Sequence, residues 1–318
     1  MMMIALLNFS LNMKKYHRNV FLKNIAGLLA LSMAGSAFDI KKYKPLLSFS
    51  TLGCPDWKFE KIVNFAKENG YDGLEIRGIQ RQLDLSKCSE FSSQAKVAAT
   101  SKLVKDNGLK IVNLGASTNL HISNPADRKK NIDEAKLFID LANKLNCPYI
   151  RVFPNIFPKD QERSATMDLI TKGLLELADH AQGTKVTVLM ETHGEVVKSD
   201  DIATIMKNAA HEHVGLVWDI VNMWSVTKEP PGIVYPKLKK YIRHSHIKDL
   251  KLVNGKEQYT LMGKGEAPIF EGIDALVKDN YKGYFSFEWE KLWHPEIAEP
   301  EFAIGDYTKA MAEHFGKS

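Results

Sequence analysis

From Pro45 onward the chain alternates between two patterns, and nothing else in it limits the fold as strongly. Short apolar runs that close on polar or charged residues read as strands. Longer segments with one apolar face at a period of about 3.6 read as helices. The predicted strands are 47–51, 73–77, 110–115, 149–153, 187–191, 215–219, 241–247 and 284–288, eight in all. Between them, Phe59, Ile62, Val63 and Ala66 share one helical face. Ile132, Ala135, Phe138, Ile139 and Ala142 share a second, and Met167, Ile170, Leu174, Leu177 and Ala181 a third. Gly70 and Gly108 stand where C-cap glycines are expected. Asn124-Pro125 and Ser199-Asp200 read as helix starts. The stretch with Pro230, Pro231, Gly232 and Pro236 is expected to be a loop with a short helix at most.

Eight strands alternating with helices predict the α/β class and a closed parallel (β/α)₈ TIM barrel. An open doubly wound sheet is disfavoured, because no GxGxxG turn follows the first strand. No break in composition divides the barrel, so 38–318 is expected to be one domain. A hydrophobic fraction of 44% and a charged fraction of 25% fit a globular protein with a full core. The net charge of +5 is scattered and forms no basic stripe with interleaved aromatics, so nucleic acid is not an expected partner. Cys54, Cys88 and Cys147 are an odd, sparse set without a CxxC pair, and are expected to be small buried thiols.

Residues 1–37 read as an export signal. Lys14, Lys15, His17, Arg18 and Lys23 precede an apolar stretch from Ile25 to Met33, and Gly35-Ser36-Ala37 closes it. The apolar stretch is too short to span a bilayer comfortably. His17 to Lys23 resembles a twin-arginine signal with Asn19 in place of the second arginine. Export, with a periplasmic location, is therefore expected.

Chemistry in such a barrel is expected at the C-terminal ends of its strands. The second strand ends in Glu75 and Arg77, which point the same way because strand side chains alternate. The fourth offers Arg151. The fifth ends in Glu191, followed by Thr192 and His193. The sixth ends in Asp219, the seventh carries His244, His246 and Lys248, and the eighth ends in Glu288. Glu191, Asp219, His246 and Glu288 thus arrive at one end from successive strands. Three converging carboxylates repel and raise one another's pKa. A divalent cation removes that conflict, and carboxylates with one imidazole suit Mn, Mg, Co or Zn.

The segments 47–51, 70–77, 190–193, 244–249 and 283–288, with Gly263-Lys264-Gly265-Glu266, resemble the xylose-isomerase-like barrel superfamily of sugar isomerases and epimerases. The resemblance runs from about residue 45 to the end. It implies that Glu191, Asp219, His246 and Glu288 hold one metal, and that Glu191 and Glu288 are also the catalytic acid and base. It implies proton transfer next to a carbonyl through a metal-stabilised enediolate. The expected activity is that of an isomerase or epimerase on a sugar or keto-sugar. A lyase or dehydratase acting on a keto-sugar or 3-keto-glycoside is the alternative, and a non-catalytic sugar-binding barrel a further one. The epimerase branch often carries Asp-x-x-His on the sixth strand. Here Asn222 replaces that histidine and exchanges no proton near neutral pH. The Asp-x-His pair of the apurinic endonuclease branch is absent after strand seven.

Glu75, Arg151, His193, Asn222 and Lys248 are the expected substrate-binding residues. Trp57, Trp289 and Trp293 are candidates to stack on a sugar, although packing is the commoner role for each. His244 is expected to orient a neighbour rather than bind metal. Gly263-Lys264-Gly265 is a weak candidate for an anion cradle. The expected partner is a small carbohydrate, with no membrane span; a homo-oligomer is left open.

Overall fold

All eight predicted strands form, and they close on themselves. In the computed structural model, which describes residues 43–317, they are β1 (Leu46–Ser50), β2 (Gly73–Ile76), β3 (Lys110–Asn119), β4 (Tyr149–Phe153), β5 (Thr187–Glu191), β6 (Val214–Asp219), β7 (Ile242–Ile247) and, after a hairpin of β8 (Asp249–Val253) and β9 (Lys256–Thr260), β10 (Tyr284–Phe287). Each barrel strand pairs in parallel with its neighbours, and β1 joins both β2 and β10. The expected export segment 1–37 lies outside the described residues.

The helices follow from their apolar faces. Phe59, Ile62, Val63 and Ala66 of helix Phe59–Glu68 are buried, as are the five named residues of helix Pro125–Leu145. In helix Arg163–Ala181 the predicted face is buried except for Met167, which is half-exposed. Asn124 caps its helix as expected: its Oδ1 accepts from the Ala126 and Asp127 N–H groups at 3.0 and 3.1 Å. The three cysteines are free and buried. Among the described residues no helix is long and apolar enough to cross a membrane.

Two parts differ from expectation. The proline-rich stretch after β6 holds two helices, Ile220–Thr227 and Pro231–Leu238. Asp219 caps the first. Pro231 begins the second, where a missing N–H costs nothing. The hairpin of β8 and β9 was not foreseen. Its turn is Asn254-Gly255, with φ of 53° and 74°. Two successive left-handed residues make the two-residue turn that matches strand twist, and Asn-Gly is its strongest sequence signal.

Candidate metal centre and its cavity

The last turns of β5, β6, β7 and β10 bring four side chains together. Glu191, Asp219, His246 and Glu288 each offer a ligand atom, and all four atoms lie within 4.8 Å of one another. Every one of these residues is buried. The barrel order β10-β7-β6-β5 places the two glutamates on the outside of the row, with His246 and Asp219 between them.

Local chemistry aims each group. Asp219 Oδ1 accepts from the Val221 and Asn222 N–H groups at 3.0 and 2.8 Å, capping helix Ile220–Thr227. That leaves Oδ2 turned into the cluster. Thr192 Oγ1 pins the same residue, accepting from the Asp219 N–H at 2.9 Å and donating to its carbonyl at 3.1 Å. His246 Nδ1 lies 3.0 Å from Glu191 Oε1 and 3.3 Å from Glu288 Oε1. Its Nε2 lies 3.0 Å from Glu75 Oε2. His244 Nε2 reaches the same oxygen at 3.0 Å, as does Asn113 Nδ2 at 3.2 Å. His244 therefore braces Glu75, the orienting role expected of it.

The carboxylates are not unopposed, and this corrects the electrostatic expectation. Lys248 Nζ stands 2.9 Å from Asp219 Oδ2, 2.9 Å from Glu288 Oε2 and 2.6 Å from Glu290 Oε1. Arg151 Nε stands 3.0 Å from Glu191 Oε2. Two strands therefore supply cations that a residue-by-residue reading of strand ends had assigned to substrate. Burial pushes His246 towards neutrality, but Glu288, Glu75 and Glu191 outweigh it and hold its pKa well above the usual range. Burial likewise raises Glu288 and Glu75, and their histidine neighbours overcome that and hold both well below the carboxylate range. For Asp219 burial wins, and its pKa rises to about 7.

The donor set still fits a divalent cation. Glu191 Oε2 and Asp219 Oδ2 are buried without a hydrogen bond, because Arg151 and Lys248 neutralise them from misaligned positions. Buried lone pairs without a hydrogen bond are unfavourable, and three carboxylates with one imidazole suit Mn, Mg, Co or Zn. Glu75, His244 and His246 form a second acid–imidazole group. There a single carboxylate oxygen already meets both imidazoles, so it braces the first group rather than competing with it.

A cavity of about 210 Å³ opens beside the cluster. Arg77, Arg151, His193, Glu288 and Trp293 are on its wall, along with Glu290. Of the five residues expected to bind substrate, Arg151 and His193 line this cavity. His193 Nδ1 is held by Asn155 Oδ1 at 2.7 Å, and burial lowers its pKa, so the ring is neutral near pH 7.

Glu75, Asn222 and Lys248 are not on the wall of this cavity. Glu75 is fully buried under His246. Asn222 meets Asp219 through its backbone, and its Nδ2 is buried without a partner. Lys248 Nζ donates to Glu288 Oε2 and Glu290 Oε1 and is ion-paired with Asp219. Trp57 and Trp289 are packed, whereas Trp293 is 52% exposed on the rim. The Gly263-Lys264-Gly265 loop does cradle an anion, but an internal one. The Gly263 and Gly265 N–H groups both donate to Asp249 Oδ2 at 2.9 Å. Arg77, read from the sequence only as sharing the direction of Glu75, and Glu290, which was given no binding role, are also on the wall. The period-two rule that turns Glu75 inward also turns Arg77 inward, nearer the mouth, and was the available signal.

With this geometry in hand, known proteins can be compared. Residues 63–311 match the family described as xylose isomerase-like TIM barrel. The 3-dehydroshikimate dehydratase of Bacillus anthracis is 26% identical over 250 residues, 73% of this chain and 85% of the relative. The fructoselysine 3-epimerase of Shigella flexneri is 22% identical over 273 residues, 83% of this chain and 95% of the relative. Among solved structures, a xylose isomerase-like TIM barrel protein from Mycobacterium smegmatis in complex with magnesium superposes with a TM-score of 0.65 at 17% identity, covering 86% of this chain and 97% of its own.

Proposed function

This chain belongs to the xylose isomerase-like TIM barrel family, and from that premise we propose that it is a divalent-metal-dependent isomerase or epimerase that moves a proton next to the carbonyl of a sugar or keto-sugar. Glu191, Asp219, His246 and Glu288 would hold the metal. A bound cation there supplies Lewis acidity towards a carbonyl oxygen and a neighbouring hydroxyl. The observation that carries the proposal is the pair of glutamates. Glu191 and Glu288 bracket the cluster from its two flanks, each within reach of His246 Nδ1.

Two carboxylates so placed have complementary parts in proton transfer. One, as the carboxylate, takes a proton from carbon on its side, and the other, entering the step protonated, delivers its own proton from the opposite side. Return to the same carbon is epimerisation; return to its neighbour is isomerisation. Arg151 holds Glu191, and Lys248 holds Glu288, which keeps both acids in fixed positions. Arg151, His193 and Trp293 form the wall that would orient the substrate. The test is incubation of metal-loaded protein with keto-sugars in deuterated water. Solvent deuterium is expected at the carbon beside the carbonyl, and its absence from every sugar would sink the proposal.

Elimination is the second reading. The 26% identical relative is a dehydratase, and Asn222 stands where the epimerase branch often carries a histidine. A dehydratase would lose water and form a conjugated double bond, so ultraviolet absorbance and product mass separate the two readings. We extend the proposal to export: residues 1–37 are removed as a signal and the barrel works in the periplasm. N-terminal sequencing of the mature protein checks it, since an intact residue 1 is incompatible with that route.

A further inference from the structure

The cavity beside the proposed metal centre has one buried cation that makes no ion pair among the described residues. Arg77 is 5% exposed and lines the cavity. A guanidinium carries five N–H donors. Here Nη2 donates to Ser117 Oγ at 3.1 Å, and Nη1 reaches the Gly115 carbonyl only at 3.5 Å. Among the described residues, no carboxylate stands within ion-pair distance of it. The other two cations of the site differ, since Arg151 faces Glu191 and Lys248 faces three acids. Glu288, Glu191 and Glu134 act on Arg77 only from beyond ion-pair distance, and a buried charge without a close, hydrogen-bonded counter-charge is costly. Burial and the nearby Arg151 charge lower the Arg77 pKa to about 10, against the opposing pull of those three glutamates.

The backbone beneath is shaped for this arrangement. A methyl group at position 115 would lie 2.7 Å from Arg77 Cδ and 2.9 Å from Arg151 Nη2. Only glycine lets both arginines lie over β3 at this height.

Resting on the proposed reading of the cavity as the substrate site, we propose that the substrate is a polyhydroxy keto acid whose carboxylate is held by Arg77. A guanidinium fork matches a carboxylate in a paired geometry that a hydroxyl cannot reproduce. A neutral sugar would accept one N–H and leave the charge unanswered. A phosphate ester brings nearly two charges, and Arg151, engaged by Glu191, leaves only Arg77 to meet them. The cavity of about 210 Å³ has room for a small ring.

Calorimetric titration of the Mn²⁺-loaded protein with D-glucuronate, shikimate, D-glucose and D-glucose 6-phosphate tests this. At least one of the two acids is expected to bind ten-fold or more tightly than glucose. Arg77→Gln is expected to bring the acid-to-glucose ratio close to one. Arg77→Lys keeps the charge and loses the fork, so it should cut the ratio severalfold, and it carries the test if Arg77→Gln does not fold. Equal binding of acids and glucose overturns the inference, as does a preference that survives in both variants. Tighter binding of the phosphate ester replaces the carboxylate with a phosphate. Neutral keto-sugars that exchange deuterium while acids neither bind nor exchange defeat this inference and leave the proposed function standing. Failure of every compound to bind or exchange defeats both.

Discussion

His246 lies between carboxylates on both ring nitrogens, so its neighbours decide which nitrogen is presented to the cluster. Glu75 takes the Nε2 side at 3.0 Å and leaves Nδ1 towards Glu191 and Glu288. Partners of this kind typically change metal affinity by about 10–100-fold. Glu75→Gln is therefore expected to weaken Mn²⁺ binding by about that factor, read by calorimetry, and unchanged affinity would remove Glu75 from this role. Lys248 gives a second prediction at the same scale. Its ammonium balances Asp219, Glu288 and Glu290, and removing one partner of a buried pair costs about 3–5 kcal/mol. Lys248→Met should lower the melting temperature sharply in the presence of a chelator. The loss should be smaller with saturating Mn²⁺, because a bound dication then answers the same carboxylates. Equal losses in both conditions would show that Lys248 and the metal do not share a charge-balancing role. These residues were partly legible beforehand. Strand alternation placed His246, Glu191 and Glu288 inward, but it is silent on which inward cation lies against which acid.

Among the elements, the hairpin of β8 and β9 is anchored at its base by Asp249. Its carboxylate accepts from the Leu250, Gly263 and Gly265 N–H groups, each at 2.9 Å. A methyl group on residue 265 would lie 1.9 Å from Asp249 Oδ1. Gly265→Ala is expected to destabilise the protein by about 1–3 kcal/mol, the range for leaving a buried polar group unmatched, and chemical denaturation measures it. Asn254-Gly255 is the one local sign of the hairpin, and its strands, Asp249–Val253 and Lys256–Thr260, are too polar to read as apolar runs. The barrel strands themselves were readable. Each is a short apolar run flanked by helices of clear period, so local pattern and global fold agree.

For the whole molecule, metal binding and folding are linked. A cation that binds only the folded barrel at about 100 times its Kd adds about 2.7 kcal/mol of stability. The melting temperature should then rise by several degrees with Mn²⁺ and fall back with chelator, and no shift in either direction argues against a metal centre. Binding should also depend on pH. Burial raises Asp219 to about 7, so below that pH the group carries a proton that a metal must displace. Mn²⁺ affinity is expected to fall as pH drops from 8 to about 5.5, by up to about tenfold per pH unit for one proton. A flat profile would show that no ligand titrates there.

The chain's own order of apolar runs and helical faces determined the barrel, the strands that form it and the end at which acids collect. Those are consequences of local periodicity, which each segment carries within itself. Tertiary closure alone decided that Lys248 and Arg151 answer the carboxylates, that Asp249 fills the glycine loop, and that Arg77 lines the cavity without an ion pair among the described residues. Each depends on distances between strands far apart in sequence. Charge balance in a buried site varies with those distances and not with spacing along the chain.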